Sequence, residues 1–348
     1  TCDNSVFFEN RYEGDQNKRT QRVLSKCEPF KISEMNGIEA VRELRRMGCK
    51  DPIIMFSTLT ERGATATLDA LSAGATDYVT KPANQGSVRE SMESVRQQLV
   101  PIILGLLPNK VRAAGISSAA LQGEARANVS SVPTMFQGKV SLHDRTGMPD
   151  KPIRIVIVGS STGGPEALSK MISGLSQPLP VPMVITQHMP PVFTTQLANR
   201  LNNMTQASVE EAKDGMTLMP GRVYLAAGNY HMTFVGNAGA ARIKLTQTPP
   251  VNFCRPSVDV MFESAIKLYG GDMLAVVLTG MGQDGKNGCG QVLEAGGRTI
   301  AQDERTSVVW GMPGAVSTAG FADQILPIEE IAPQIIRHVK TFAPEARR

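Results

Sequence analysis

The chain has 348 residues, 41% of them hydrophobic and 20% charged, with a formal net charge of +4; that length exceeds what one core ordinarily serves, so two domains are expected. Its basic residues are scattered and only 5% of residues are aromatic, which argues against a stacking platform for nucleic acid. The five cysteines, Cys2, Cys27, Cys49, Cys254 and Cys289, never stand in C-x-x-C spacing, against a disulfide framework or a zinc motif, and no apolar run approaches the roughly 18 residues of a membrane span.

Residues 1–30 show neither helical nor strand periodicity and read as irregular or disordered. The polar stretch 2–25 shows no apolar core of a signal peptide, and the scattered, odd number of cysteines makes a reducing cytoplasm the expected setting. Beyond the Asn36-Gly37 turn, Ile38, Val41, Leu44 and Met47 recur at helical spacing and predict a helix ending near Gly48. A strand over 53–56 ends at Ser57-Thr58, and a helix spans 63–72. A strand at Tyr78-Val79 then ends at Lys81-Pro82, and a helix runs from 86 to about 99. Strands alternating with helices over 31–103 imply a parallel sheet. Residues 104–151, rich in Gly, Ala, Ser and Pro, read as a linker that is mobile or lies loosely over its neighbours.

The second domain, 152–345, opens with a β-branched apolar run, Ile155 to Val158, that gives way to Gly159-Ser160-Ser161-Thr162-Gly163 and then to a helix start at Pro165. The G-x-S-x-G spacing exposes its central hydroxyl, that of Ser161, on a sharp turn. The same loop could cradle a phosphate at the helix N-terminus, although neither a Walker lysine nor a full G-x-G-x-x-G is present; or its residues could simply make a turn and a cap. A strand over 184–187 ends at His188 and a helix spans 194–201. Short strands over 223–227, 231–235 and 241–245 suggest an antiparallel excursion. A helix over 257–269 precedes a strand over 274–278, which is closed by Thr279-Gly280-Met281-Gly282-Gln283-Asp284-Gly285. Helix 286–295, strand 298–301 and helices 313–318 and 328–340 complete an α/β domain with a mostly parallel, doubly wound sheet.

Ser161, His188 and Asp284 therefore end three strands that a parallel sheet would bring to one edge. A serine hydroxyl needs a base; an imidazole can serve, and a carboxylate on its other nitrogen fixes the tautomer. Each residue also has a plainer reading, His188 as a helix-entry residue and Asp284-Gly285 as a turn. Of the other histidines, His143 lies in the linker, His231 in a hairpin and His338 late in a helix, which leaves His188 the favoured base.

Met35-Asn36-Gly37-Ile38-Glu39-Ala40, Ile54-Met55-Phe56-Ser57 and Ala75-Thr76-Asp77-Tyr78-Val79-Thr80-Lys81-Pro82 resemble the second half of a response-regulator receiver domain. That resemblance implies a truncated (βα) receiver-like domain in which Ser57 and Lys81 would contact an aspartyl phosphate and Tyr78 would shift with activation. By themselves Ser57 could cap the next turn and Lys81 could be solvated. The family's phosphoacceptor Asp would stand eight residues before Gly37, where this chain has Pro29; no Asp-Asp pair precedes it, and neither Glu28 nor Glu34 lies in an apolar strand. No phosphoacceptor Asp is expected.

Gly159-Ser160-Ser161-Thr162-Gly163-Gly164, Thr186-Gln187-His188-Met189-Pro190, Arg255-Pro256-Ser257-Val258-Asp259 and Leu278-Thr279-Gly280-Met281-Gly282-Gln283-Asp284-Gly285 resemble, in this order, the catalytic domain of the chemotaxis protein-glutamate methylesterases, the CheB family. The resemblance implies Ser161 as nucleophile, His188 as general base then acid, Asp284 as its orienter and the Met281 backbone N–H as an oxyanion donor. It implies hydrolysis of glutamyl γ-methyl esters on methyl-accepting chemotaxis receptors, deamidation of receptor glutamines in some members, a chemotaxis histidine kinase as partner, and no metal or organic cofactor. The alternative is a non-catalytic receptor-binding module built on an inactive hydrolase scaffold.

Overall fold

The computed structural model describes residues 5–7, 28–30, 35–82, 87–106, 139–147 and 150–342. The chain divides into two compact units, Thr1–Met135 and Phe136–Arg348.

The first unit runs β1 (Ser5–Phe7), β2 (Glu28–Phe30), α1 (Gly37–Arg46), β3 (Ile53–Ser57), α2 (Glu61–Ser72), β4 (Asp77–Thr80) and α3 (Val88–Leu106). A capping box starts α1: the Asn36 side chain accepts from the Ile38 and Glu39 N–H groups at 3.0 Å each, and the Glu39 carboxylate accepts from the Asn36 N–H at 2.8 Å. Val41, Ile53, Ile54, Leu68 and Val79 form its core. Strands β3 and β4 are parallel, as the alternating elements require.

Three expectations are corrected in this unit. Residues 1–30 are not wholly irregular, because β1 pairs antiparallel with both β2 and β3; strands of three residues are too short to show alternation. Glu28 opens one of these strands, and Pro29 pairs with Val6 within it. β2 is the edge strand of the order β2-β1-β3-β4, where a missing N–H is tolerated. Finally, α3 continues through Pro101 to Leu106, past the expected end near 99. Proline removes one helical hydrogen bond there without ending the helix.

Ser57 is buried and its hydroxyl donates to the Gly63 carbonyl at 3.0 Å, in the first turn of α2, while the Lys81 N–H donates to the Ser57 carbonyl at 2.6 Å. Burial, with the Asp77 charge beside it, pushes the Tyr78 hydroxyl pKa well up.

The second unit runs β5 (Ile155–Ser160), α4 (Gly164–Ser173), β6 (Met183–Gln187), α5 (Phe193–Asn202), β7 (Ser208–Glu211) and β8 (Arg222–Leu225). It continues with β9 (His231–Val235), β10 (Arg242–Thr246), α6 (Val258–Tyr269), β11 (Met273–Val277), α7 (Lys286–Glu294), β12 (Arg298–Gln302), α8 (Met312–Thr318), β13 (Gln324–Leu326) and α9 (Ile328–Phe342). Seven strands form one parallel sheet of order β13-β12-β11-β5-β6-β8-β7. β5, β6 and β11 are buried along their whole length, which is why their sequences are continuous apolar runs rather than alternating ones. Each buried Ile or Val contributes roughly 1.5–3 kcal/mol, so burial along their whole length anchors the strands that deliver the site.

The chain leaves β5 toward β6 on one side and returns to its other side as β11. The order therefore reverses between β5 and β11, and at such a switch point the strand ends open a crevice. Among the described residues of the second unit, β9 and β10 are the one antiparallel strand pair; β8, expected with them, lies in the parallel sheet. The expected linker is also corrected at its far end. Leu142 bridges Ala322, the His143 N–H donates to the Ala322 carbonyl at 2.8 Å, and Arg145 donates to the Gly297 carbonyl at 2.6 Å. Residues 139–146 thus belong to the second unit and are bonded to it; the lack of apolar period reflects backbone pairing, which leaves no periodic trace.

Candidate active site

Ser161 follows β5 directly. Its N–H donates to the Thr279 carbonyl at 3.0 Å, and its carbonyl accepts from the Gly164 N–H at 2.7 Å, which closes the turn into α4. Gly163, the N-cap of α4, has φ 75°, a left-handed value that a side chain would strain. On the other side of Ser161 lies the loop after β11: a Cβ on Gly280 would meet the Ser161 Cβ at 2.9 Å. Among the described residues the Met281 N–H, next in that loop, donates no hydrogen bond.

His188 follows β6, whose last residue Gln187 stands beside Ser160 in the parallel register. The His188 N–H donates to the Ser160 carbonyl at 3.1 Å. Buried Gln187 staples the two strand ends: its Oε1 accepts from the Ser160 hydroxyl at 2.7 Å, and its Nε2 donates to the carbonyls of Ser161 and His188 at 3.0 and 3.1 Å. Sequence reasoning gave this residue no role, since a glutamine inside an apolar strand carries no spacing signal.

Asp284 ends the β11 loop with its side chain only 3% exposed. Its Oδ2 accepts from His188 Nε2 at 2.7 Å and from the Val258 N–H at 2.6 Å. Its Oδ1 accepts from Asn252 Nδ2 at 2.8 Å, the Ser257 hydroxyl at 2.9 Å, and the Asp259 and Gly285 N–H groups at 3.1 Å each. Two of these donors are the first N–H groups of α6, where a helix N-terminus favours negative charge. Burial would raise the carboxyl pKa, but the hydrogen bond and charge of His188, with Asn252 and the Val258 N–H, hold it down at about 2.

The His188 ring is thereby oriented, with Nε2–H on Asp284 and the lone pair on Nδ1. Cys254 Sγ lies 3.4 Å from that Nδ1. Burial would lower the His188 pKa; Cys254 and Asp284 outweigh it and raise the pKa above the ordinary value. The serine end is not closed in the same way: among the described residues Ser161 Oγ makes no hydrogen bond, to His188 or to any other group. Catalytic hydrogen bonds are often open before substrate arrives.

The other histidines are committed elsewhere. His231 is buried, with Nε2–H on the Pro249 carbonyl and Nδ1 accepting the Ser257 N–H; His143 meets Asp323, and His338 meets Gln334 and Gln324. One donor atom each from His188, Cys254 and Asp284 lies within 4.8 Å of the others, a set that could hold a metal ion. Both Asp284 oxygens already accept several hydrogen bonds, and the same three residues form a chain of contacts from carboxylate to imidazole to thiol. Cys254 and Asn252, absent from the sequence-derived site, reach it from a loop whose spacing to Asp284 has no pattern.

Residues 156–335 match the CheB methylesterase family and residues 30–93 the response regulator receiver domain. A Nocardioides protein named protein-glutamate methylesterase/protein-glutamine glutaminase is 50% identical over 90% of this chain and 82% of its own length. One of the same name from Trichodesmium erythraeum is 46% identical over 88% and 83%. The crystal structure of the Thermotoga maritima CheB methylesterase catalytic domain, 42% identical, superposes with a TM-score of 0.52 and covers 53% of this chain and 98% of that one. Among the described residues no helix is long and apolar enough to cross a membrane.

Proposed function

Since this chain belongs to the CheB methylesterase family, we propose that it hydrolyses glutamyl γ-methyl esters on methyl-accepting chemotaxis receptors, in the cytoplasm, with Ser161 as nucleophile. The observation that carries this reading is the 2.7 Å bond from His188 Nε2 to the buried Asp284 carboxylate at the strand end beside the Ser161 turn.

The serine hydroxyl adds to the ester carbonyl carbon as His188 Nδ1 takes its proton. The oxyanion forms beside the Met281 N–H, a donor with no other commitment. Collapse expels methoxide, which leaves as methanol with the proton from His188, and a glutamyl ester remains on Ser161. Water, deprotonated by the same imidazole, then releases the glutamate carboxylate and restores the hydroxyl. With a glutamine side chain the same sequence releases ammonia. Asp284 keeps its charge throughout and stabilises the imidazolium. For the first step the lone pair that faces Cys254 must turn to Ser161, a side-chain adjustment at the half-buried ring.

Reaction with a fluorophosphonate tests the reading against a receptor-binding module without turnover, because only an activated serine is modified. Cys254 supplies a second test. The proton-accepting imidazole is the neutral form, so a pKa raised by Cys254 and Asp284 places the acid limb of kcat/KM above the ordinary histidine value of about 6.5. Removing the sulfur in Cys254→Ser should move that limb to lower pH; a limb that stays put assigns the shift to another group.

The receiver-like unit supports a different expectation. With Pro29 at the position of the phosphoacceptor, acetyl phosphate should leave no acid-labile phosphate on the chain. Stoichiometric labelling of any Asp would overturn that and would restore the histidine kinase as a phosphodonor.

A further inference from the structure

The loop at residues 251–254 serves the site on one side and solvent on the other. Val251 and Cys254 exchange backbone hydrogen bonds at 3.1 and 2.9 Å, closing a tight turn. The two residues at its tip, Asn252 and Phe253, have φ of 52° and 62°, a left-handed region costly for side chains other than Gly, Asn and Asp. The residues on either side of Phe253 are bound to the site itself: Asn252 Nδ2 donates to Asp284 and Asp259, and Cys254 Sγ lies on His188 Nδ1. Phe253 is thus fixed relative to the reacting groups, yet its side chain is held outward, 97% exposed. Val251 and Tyr230, each 38% exposed, stand on the same loop and on the neighbouring one that Arg255 ties to it through Asn229.

An aromatic ring 97% exposed at a strained position adds almost no packing to the folded chain. A use follows from the substrate class proposed above, on which this inference rests. Only two methylene groups separate the ester carbonyl of a methylated glutamate from its backbone. When that carbonyl reaches Ser161, the backbone and neighbouring side chains of the substrate protein must lie over the rim of the site, where Phe253 stands. We propose that Phe253 is a specificity-determining contact: its ring packs on apolar side chains that flank the methylated glutamate on the substrate protein, and so favours protein-borne esters.

The test uses the full chain and two variants. Phe253→Asn keeps a residue that accepts the left-handed backbone and removes the ring; Phe253→Trp keeps an aromatic. Two rates are measured for each: kcat/KM for methanol release from methylated receptor, and the rate of fluorophosphonate modification, which needs no rim contact. The ratio of the first to the second is expected to fall about ten- to a hundredfold in Phe253→Asn, chiefly through KM, and to stay near that of the unmodified chain in Phe253→Trp. An unchanged ratio in Phe253→Asn, or a parallel fall of both rates, overturns the contact. So does a concentration-dependent dimer that Phe253→Asn abolishes, because a second copy would then cover the ring. If the unmodified chain neither reacts with the fluorophosphonate nor releases methanol, the hydrolase reading fails and this inference with it; a reactive chain with an unchanged ratio overturns only the inference.

Discussion

Ser161→Ala is expected to lower kcat for methanol release by about four orders of magnitude or more, with little change in stability. The size follows from the role: without a nucleophile no glutamyl-enzyme forms, and only backbone oxyanion donors and binding remain to assist water. The second half follows from the surroundings. The bonds that hold the Ser161 turn are made by its backbone, to Thr279, Gly164 and Gln187, and its hydroxyl makes none among the described residues. Truncating a half-buried hydroxyl without partners should shift unfolding free energy by no more than about 0.5 kcal/mol. Chemical denaturation beside the kinetic assay checks both halves. Near-normal turnover in a folded Ser161→Ala protein would assign the nucleophile elsewhere.

Asp284→Ala should lose both activity and stability. A catalytic histidine without its carboxylate takes the wrong tautomer, which costs about 10⁴ in kcat. Here the carboxylate also gathers the loop at Asn252, the Ser257 hydroxyl, the start of α6 and the Gly285 turn. Removing it leaves the buried donors at Ser257, Val258, Asp259 and Gly285 without that acceptor, and loss of one partner from a buried ionic pair costs about 3–5 kcal/mol. The pH dependence has a definite sign. Because the folded pKa is depressed to about 2, the Asp284 contribution is complete above its unfolded value of about 3.9 and is lost as pH falls through about 2. Acid unfolding of the unmodified chain should therefore steepen in that window, and Asp284→Ala should flatten it. A variant as stable as its parent would show that the network does not hold the loop.

These two residues also show what a sequence can display. Ser161 and His188 each stand just beyond a buried apolar strand, where the change from β-branched residues to Gly, Ser or His is abrupt enough to locate a strand end without coordinates, whereas Asp284 stands beyond the loop that follows β11, next to the N-cap Gly285 of α7. Parallel strands then align those ends by topology. What surrounds them was not legible. Gln187 lies inside the apolar run it staples, and Asn252 and Cys254 come from a loop whose approach depends on left-handed backbone that only coordinates reveal. The same limit governs the fold. Runs such as 155–160 and 273–277 announce themselves, whereas β1 and β2 are too short for a period. β8 looked like a hairpin partner because its neighbour β6 is distant in sequence, and α3 runs past the expected end near 99 because the residues around Pro101 stay helical.

The central claim is that the His188–Asp284 couple activates the hydroxyl of Ser161. Intact mass measurement after fluorophosphonate treatment, followed by peptide mapping, addresses it most directly. One adduct per chain on the peptide bearing Ser161, with a modification rate that collapses in His188→Ala, is the expected result; an adduct on another residue, or methanol release from a chain that takes up no adduct, would contradict it.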